Sequence, residues 1–521
     1  MRQARFRQFV TGQAAFLALC LLIPATALGQ VLDQSQQRIA DAVSAASMRG
    51  HLSFIASDLL EGRDTPSMGL DIAAEYIAAQ FRRAGLEPVG DDGFFQTTTL
   101  PYRYRAASDF RGWIELGQER VPLDPAAISV LYTGGAVELA DAPIVWIDGG
   151  DTEALGLIED GSLAGHVVLT NLPDPRAIPV EQRAAIMSTL GEATRALRRG
   201  GAELIMSVAT SLPQGSGLSD ASPRSGNVFA QIPFVLLHDS TGWIDEVRRD
   251  GATLTFELAE MRTRPWEVKN VVGLLPGSDP ELGETYVLVT AHYDHIGRGA
   301  PVDGDDINNG ANDDGSGTVA VMELAAALAA LPEAPRRSIL FMCVFGEERG
   351  MLGSRFYVQN PIKPLDRTIA NINLEHLGRT DDVEGESIAR LMPTGYDFST
   401  MTEWFVEAGE RIGVAVDHHP RNSASFFSRS DNIAFAAAGI PAHTFCAAFI
   451  FPDYHAPGDT WEKIDYDNLA LVTRAIGLGL WSLANSDGVP EWNREHRMTP
   501  RYIEAWDRLH GTGVTPGVTP N

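Results

Sequence analysis

Residues 287–297 read Val-Leu-Val-Thr-Ala-His-Tyr-Asp-His-Ile-Gly, and after a Gly/Asp-rich loop residues 310–317 read Gly-Ala-Asn-Asp-Asp-Gly-Ser-Gly. The first run opens apolar and β-branched, the pattern of a strand buried on both faces. Polar residues crowd in from His292 onward. Asp313 and Asp314 then lead into an apolar helical pattern over 318–331. A strand that ends in His-x-Asp, and a loop that ends in Asp-Asp at a helix start, suit a metal site. They bring imidazole and carboxylate groups to the carboxyl end of a strand, where open α/β sheets hold their chemistry.

Outward from this stretch, 266–486 alternates strand and helix patterns. Strands are expected at 268–275, 286–291, 338–345, 369–374 and 443–446, with helices at 318–331, 399–413 and 469–484 among them. Such alternation predicts an α/β fold, a mixed and mostly parallel sheet flanked by helices. The texture of 106–260 differs: short strands and turns, with strand candidates at 142–147, 165–169, 202–206 and 232–237 and one helix at 184–198. It holds no clustered His, Cys or carboxylates at ligand spacing, so the chemistry is expected elsewhere. Residues 37–85 read as helices interrupted by the turn Glu61-Gly62-Arg63-Asp64 and stopped by Gly85, and 88–100 as a loop or edge strand. The chain thus divides into 1–29, 30–115, 116–262, 263–486 and 487–521, with the Gly-Val-Thr-Pro repeats of 511–521 reading as disordered.

The length of 521 residues calls for two or more domains, and 44% hydrophobic with 21% charged residues is a soluble globular composition. A net charge of −27 opposes nucleic acid and anionic membranes as partners. Residues 1–29 carry the marks of an export signal: Arg2, Arg5 and Arg7, a short apolar core, and a small-x-small end at Ala27-Leu28-Gly29. That core is too short to span a bilayer and no later run is long enough, so a secreted or periplasmic protein with no membrane insertion after signal removal is expected. Cys343 and Cys446 lie in apolar strand runs and read as buried free thiols.

Five polar patches stand at or beyond the ends of expected strands: His292-Tyr293-Asp294, Asp313-Asp314, Gly346-Glu347-Glu348, Asn373-Leu374-Glu375-His376 and Asp453-Tyr454-His455. One acidic or imidazole patch is ordinary surface. Five along one rim predict a shared site. Two imidazoles and three carboxylates suit two zinc ions sharing a bridging carboxylate and a water.

With the motifs A-H-Y-D-H, G-A-N-D-D-G-S-G, G-E-E-x-G-x-x-G-S and D-Y-H-x-x-x-D-T, the chain resembles the secreted co-catalytic di-zinc aminopeptidases, whose relatives include glutamate carboxypeptidase II and glutaminyl cyclase. The resemblance covers about 48–95 and 266–486. More loosely, 116–262 resembles a protease-associated domain inserted before the main sheet. The resemblance implies two Zn2+ per chain and peptide substrates. It implies His292, Asp313, Glu348, Glu375 and His455 as metal ligands, with Asp313 bridging and Asp294 orienting His292. It implies Glu347 as general base and Tyr454 as hydrogen-bond donor to the oxyanion. Glu375 stands where the family more often has Asp, and a one-zinc centre is the variant known among the cyclising relatives.

His295 and His376 are expected to bond or line the pocket rather than ligate, because neighbours on an extended strand point to opposite faces. Asp303, Asp305 and Asp306 lack the length of a calcium loop. Ser428 to Asp431 read as pocket lining. A carboxypeptidase of this fold would need an arginine for a terminal carboxylate, with Arg379, Arg421 and Arg429 as candidates. An aminopeptidase, a carboxypeptidase or glutaminyl cyclase, and a non-catalytic binding protein are the readings the sequence leaves open.

Overall fold

The computed structural model describes residues 32–132, 135–173, 180–209, 232–238, 244–302 and 304–511. The expected signal at 1–29, and the tail beyond Gly511, lie outside these residues. Seven strands matter for the site: β1 (Phe95–Tyr104), β2 (Arg262–Leu275), β3 (Tyr286–His292), β4 (Ser338–Val344), β5 (Thr368–Leu374), β6 (Arg390–Pro393) and β7 (Ala442–Cys446). They lie in one sheet in the order β1-β2-β4-β3-β5-β7-β6. The middle four, β4, β3, β5 and β7, run parallel, while β1, β2 and β6 pair antiparallel at the margins. The mixed, mostly parallel sheet expected from the sequence is what forms. Of segment 88–100, residues 89–94 form a turn and 95–100 the start of the ten-residue edge strand β1.

Alternation along these strands divides the core in two. Val287, Val289 and Ala291 of β3, with Ile339, Phe341 and Cys343 of β4, face one apolar layer. Leu288, Leu340, Met342 and Val344 face the other. A strand covered on both faces has no polar face to offer, hence the continuous apolar runs of the sequence. Helices supply the cover. α1 (Gln34–Ala42), α2 (Ala45–Ile55), α3 (Met68–Ala84), α4 (Ser316–Ala329) and α5 (Tyr466–Asn485) contribute to the first layer. α3 is capped by the Ser67 hydroxyl on the Leu70 amide and stopped by Gly85 at φ 83°, a left-handed turn that favours glycine. The N-terminal helices thereby close the same core as 263–486. Cys343 and Cys446 are both free and buried.

A second sheet lies between β1 and β2 in the chain. It opens with the strand Phe110–Leu116 and closes with Thr253–Leu258. Tyr104 pairs with Arg262, so the segment leaves and returns at one point of the main sheet. Its four central strands, Val137–Trp146, Val167–Thr170, Leu204–Ala209 and Phe234–His238, are neighbours in chain order and parallel. It has its own apolar clusters, one with Phe256 and Leu254, the other with Leu190 and Leu197 of the helix Val180–Gly200. Among the described residues no helix is long and apolar enough to cross a membrane.

Candidate metal centre

β3 is followed in the chain by β4 on one side and then by β5 on the other. The order of strands reverses around it, and at such a reversal the connecting segments part and leave a crevice beyond the carboxyl ends. His292 is the last residue of β3. Its amide donates to Asp314 Oδ2 at 3.2 Å, and Asp314 Oδ1 accepts the Gly317 amide at the start of α4. One carboxylate thus ties the strand end to the helix start. Asp313 sits beside it, its amide donating to Asp459 Oδ2 at 3.1 Å, while Asp459 also accepts the Asn312 amide. Asp459 is wholly buried and is the second Asp of the D-Y-H-x-x-x-D-T motif.

The five expected ligand residues meet. His292 Nε2 lies 3.4 Å from Asp313 Oδ1 and 3.8 Å from Glu375 Oε1. His455 Nε2 lies 3.1 Å from Asp313 Oδ2 and 3.2 Å from Glu348 Oε1. Each oxygen of Asp313 therefore faces a different imidazole and a different glutamate. Asp294 stands behind His292, with Oδ1 3.5 Å from Nδ1. It also accepts the Glu347 amide on Oδ1 at 3.1 Å. The Glu347 carboxyl faces the cavity beside the cluster, and Tyr454 lines the same cavity with its ring stacked on His455 at 4.0 Å between centroids.

His295 and His376 join the cluster, against the alternation argument. His295 Nδ1 is 3.0 Å from Glu348 Oε1 and 3.9 Å from Asp313 Oδ2. His376 Nε2 is 3.4 Å from Asp313 Oδ1 and 3.8 Å from Glu375 Oε1. The rule that neighbours diverge holds only within a strand. β3 ends at His292, and His376 has φ 54°, a left-handed turn that swings its side chain round. Two triads, His292-Asp313-Glu375 and His295-Asp313-Glu348, each have one ligand atom per residue within 4.8 Å of the others.

Several of the atoms that face one another are crowded but not hydrogen-bonded. His292 Nε2, both nitrogens of His295, Asp313 Oδ2, Glu348 Oε1 and His376 Nε2 are buried without a hydrogen-bond partner. Buried polar atoms are almost always satisfied, so converging lone pairs left without protons between them fit cations. Without a cation the site would hold protons instead. Burial lowers the His455 and His376 imidazolium, but the facing carboxylates outweigh it and push them up to about 10 and about 9. Burial, then the Glu348, Glu375 and Asp431 carboxylates, hold Glu347 well above the usual carboxylate range against the pull of His292.

The cavity beside the cluster is walled by Phe426, Phe449, Thr394, Thr444, Ser430 and Arg429. Of the three arginines weighed from sequence, Arg379 is paired with Asp381 and Asp453, and Arg421 with Glu384. Arg429 forms no ion pair among the described residues, and its guanidinium lies 4.2 Å from the Phe426 ring centre. In the second sheet the described residues form no cluster of metal-binding type.

Comparison with known proteins agrees with this layout. Residues 270–478 match the profile of peptidase family M28. Aminopeptidase YwaD of Bacillus subtilis is 32% identical over 202 residues, which is 36% of this chain but only 40% of that relative's length. A probable lipoprotein aminopeptidase, LpqL of Mycobacterium tuberculosis, is 24% identical over 494 residues, 86% of this chain and 87% of its own. The solved structure of BSAP, a zinc aminopeptidase from Bacillus subtilis, superposes with a TM-score of 0.54 at 20% identity, covering 84% of this chain and 94% of that one, so the two share the fold.

Proposed function

We propose, for a chain whose residues 270–478 match the profile of peptidase family M28, that it is an exported zinc-dependent exopeptidase removing N-terminal residues from peptides. The observation that carries this reading is the Asp313 carboxylate, each oxygen of which faces its own imidazole and glutamate. His292, Glu375, His455, Glu348 and Asp313 are the residues that would hold the zinc. A bound pair of divalent cations supplies the positive charge that acidifies a water and polarises a peptide carbonyl. Glu347 takes the proton from the attacking water and returns it to the leaving amine. Asp294 fixes the His292 ring and the Glu347 backbone. The Tyr454 hydroxyl, on the cavity wall, donates to the developing oxyanion. The phenylalanine walls take the side chain of the terminal residue, and the cavity carboxylates attract its ammonium group. We read residues 1–29 as the export signal and the second sheet as a protease-associated domain beside the cleft that restricts which peptides enter.

Glu347→Gln is expected to lower kcat by about 10²–10⁴-fold while zinc content stays at the wild-type level. Loss of zinc with turnover retained would invert the assignment. A second reading, recognition of a terminal carboxylate as in a carboxypeptidase, is favoured by Arg429 alone, since it stands on the cavity wall without an acidic partner among the described residues. Aminoacyl-p-nitroanilides separate the two readings from N-blocked peptides: an aminopeptidase cleaves the first and spares the second.

A further inference from the structure

Between the N-terminal helices and α3, residues 61–65 run Glu-Gly-Arg-Asp-Thr. Their pattern alone suggests a turn. In the fold Glu61, Gly62 and Arg63 are all left-handed, with φ of 48°, 71° and 48°. A Cβ on Gly62 would come within 2.4 Å of Asn308 O and 2.8 Å of Gly297 Cα, so the turn is pressed against the loops that follow β3. Two bulky residues held in this sparsely populated region need surroundings that fix them. The surroundings are the metal-binding loops.

Arg63 is wholly buried. Its guanidinium donates to the carbonyls of Tyr293 (2.8 Å), Asn309 (2.7 Å), Gly310 (2.9 Å) and Ile55 (2.6 Å). Tyr293 lies between His292 and Asp294, and Gly310 opens the loop to Asp313. The Arg63 and Gly62 carbonyls in turn accept the amides of His295 and Gly297. Asp64 forms a two-pronged pair with Arg349 at 2.5–3.0 Å, and Arg349 directly follows Glu347-Glu348. Thr65 Oγ1 donates to Asp294 Oδ2 at 3.2 Å, and the other oxygen of Asp294 accepts the Glu347 amide. Three consecutive side chains thus each hold a different part of the centre.

We infer that Arg63-Asp64-Thr65 is a brace that sets the geometry of the centre, with Thr65 and Asp64 as positioning residues for Glu347. Thr65 acts through Asp294, which serves both His292 and Glu347. Asp64 acts through Arg349 on the far side of the Glu347 turn. A residue whose backbone is held on one side by Asp294 and whose neighbour Arg349 is held on the other has few orientations open to its side chain, and a base must meet its water within hydrogen-bond reach. This role rests on Glu347 being the base.

The test uses the full chain carrying Thr65→Val, Thr65→Ser and Asp64→Asn, each also combined with Glu347→Gln. Zinc content, kcat, KM, the melting curve and the visible absorption of the cobalt-substituted protein are read. Thr65→Val and Asp64→Asn are expected to lower kcat about ten-fold, the low end for outer-shell partners, with KM and zinc stoichiometry unchanged. In the Glu347→Gln background neither should lower kcat further, because the group they position is gone. Thr65→Ser, which keeps the hydroxyl, should recover wild-type kcat. The cobalt absorption should shift in Thr65→Val and return in Thr65→Ser, since Asp294 also holds His292. Wild-type kcat and cobalt spectrum in Thr65→Val would overturn the inference, as would losses that persist in full in the Glu347→Gln background. Were Thr65→Val to melt below the assay temperature, Asp64→Asn decides by the same criteria. Should the wild type cleave no aminoacyl substrate, the functional reading fails, and the cobalt spectra alone judge the brace.

Discussion

The molecule contains two sheets with four central parallel strands each, and among the described residues only one of them gathers a cluster of metal-binding type. Their local patterns are alike. Val167, Val168 and Leu169 in one, and Val287, Leu288 and Val289 in the other, alternate between two apolar layers. Their topologies differ. In the second sheet the central strands succeed one another in chain order, so every connection moves the same way. In the main sheet the order reverses around β3. The crevice opens where the order reverses, and there the His, Asp and Glu residues gather. Buried apolar strands are thus a common foundation; the change of direction decides where chemistry can be placed.

The largest effect should come from Asp313, the group common to both halves of the centre. Asp313→Ala is expected to lose bound zinc, by elemental analysis, and to reduce turnover to background, whereas Asp148→Ala beyond a strand of the second sheet should change neither. Equal losses would erase the contrast between the sheets. Next in size, Phe341→Ala and Phe256→Ala each empty a fully buried site, one in each unit. Each should destabilise its own core by about 3–5 kcal/mol. Calorimetry should show separate shifts, and only Phe341→Ala should lower the temperature at which zinc is released. A single transition moved equally by both would mean the two cores unfold as one.

A smaller effect is set by acid. His443 of β7 is wholly buried, with Nδ1 against the Thr394 carbonyl at 2.7 Å and Nε2 against Ser399 Oγ at 2.6 Å. Burial lowers its pKa from 6.5 to about 4, against the pull of the Thr394 carbonyl. The unfolded chain then binds the proton more readily than the folded one. The contribution is present in full above about pH 6.5 and is lost as pH falls towards 4, a change of roughly 3 kcal/mol at most. His443→Gln should flatten that part of the stability profile, measured by denaturant titration; an unchanged slope would remove His443 from the account. The smallest effect is expected from replacing 106–260 by a short turn joining Tyr104 to Arg262. Zinc content should hold and KM should change by a few-fold, measured on a short and a long peptide. Loss of zinc would show that the second sheet supports the centre.

Much of this was legible before folding was considered. The strand runs of 286–291 and 338–345 are read within one residue of β3 and β4, because continuous apolar stretches between polar breaks have few other uses. The expected ligands His292, Asp313, Glu348, Glu375 and His455 do meet, because polar residues that interrupt apolar strands at one edge have one rim to share. The entry of His295 and His376 into the cluster was not legible. Their directions depend on where β3 stops and on one left-handed residue, and the alternation rule carries no information beyond the strand end. Nor was the grip of Arg63, Asp64 and Thr65, whose partners in the metal-site loops lie more than two hundred residues away. A turn pattern reports the backbone it favours but not what its side chains reach.

Sequence by itself determined which residues are apolar enough to be strands and helices, and which polar residues interrupt them. Those are local properties, set by side-chain chemistry and spacing. The tertiary structure alone decided the reversal around β3, the two-sided position of the Asp313 carboxylate and the brace across the loops. Each of these depends on distances between segments far apart in the chain, and such distances exist only once the core has closed around them.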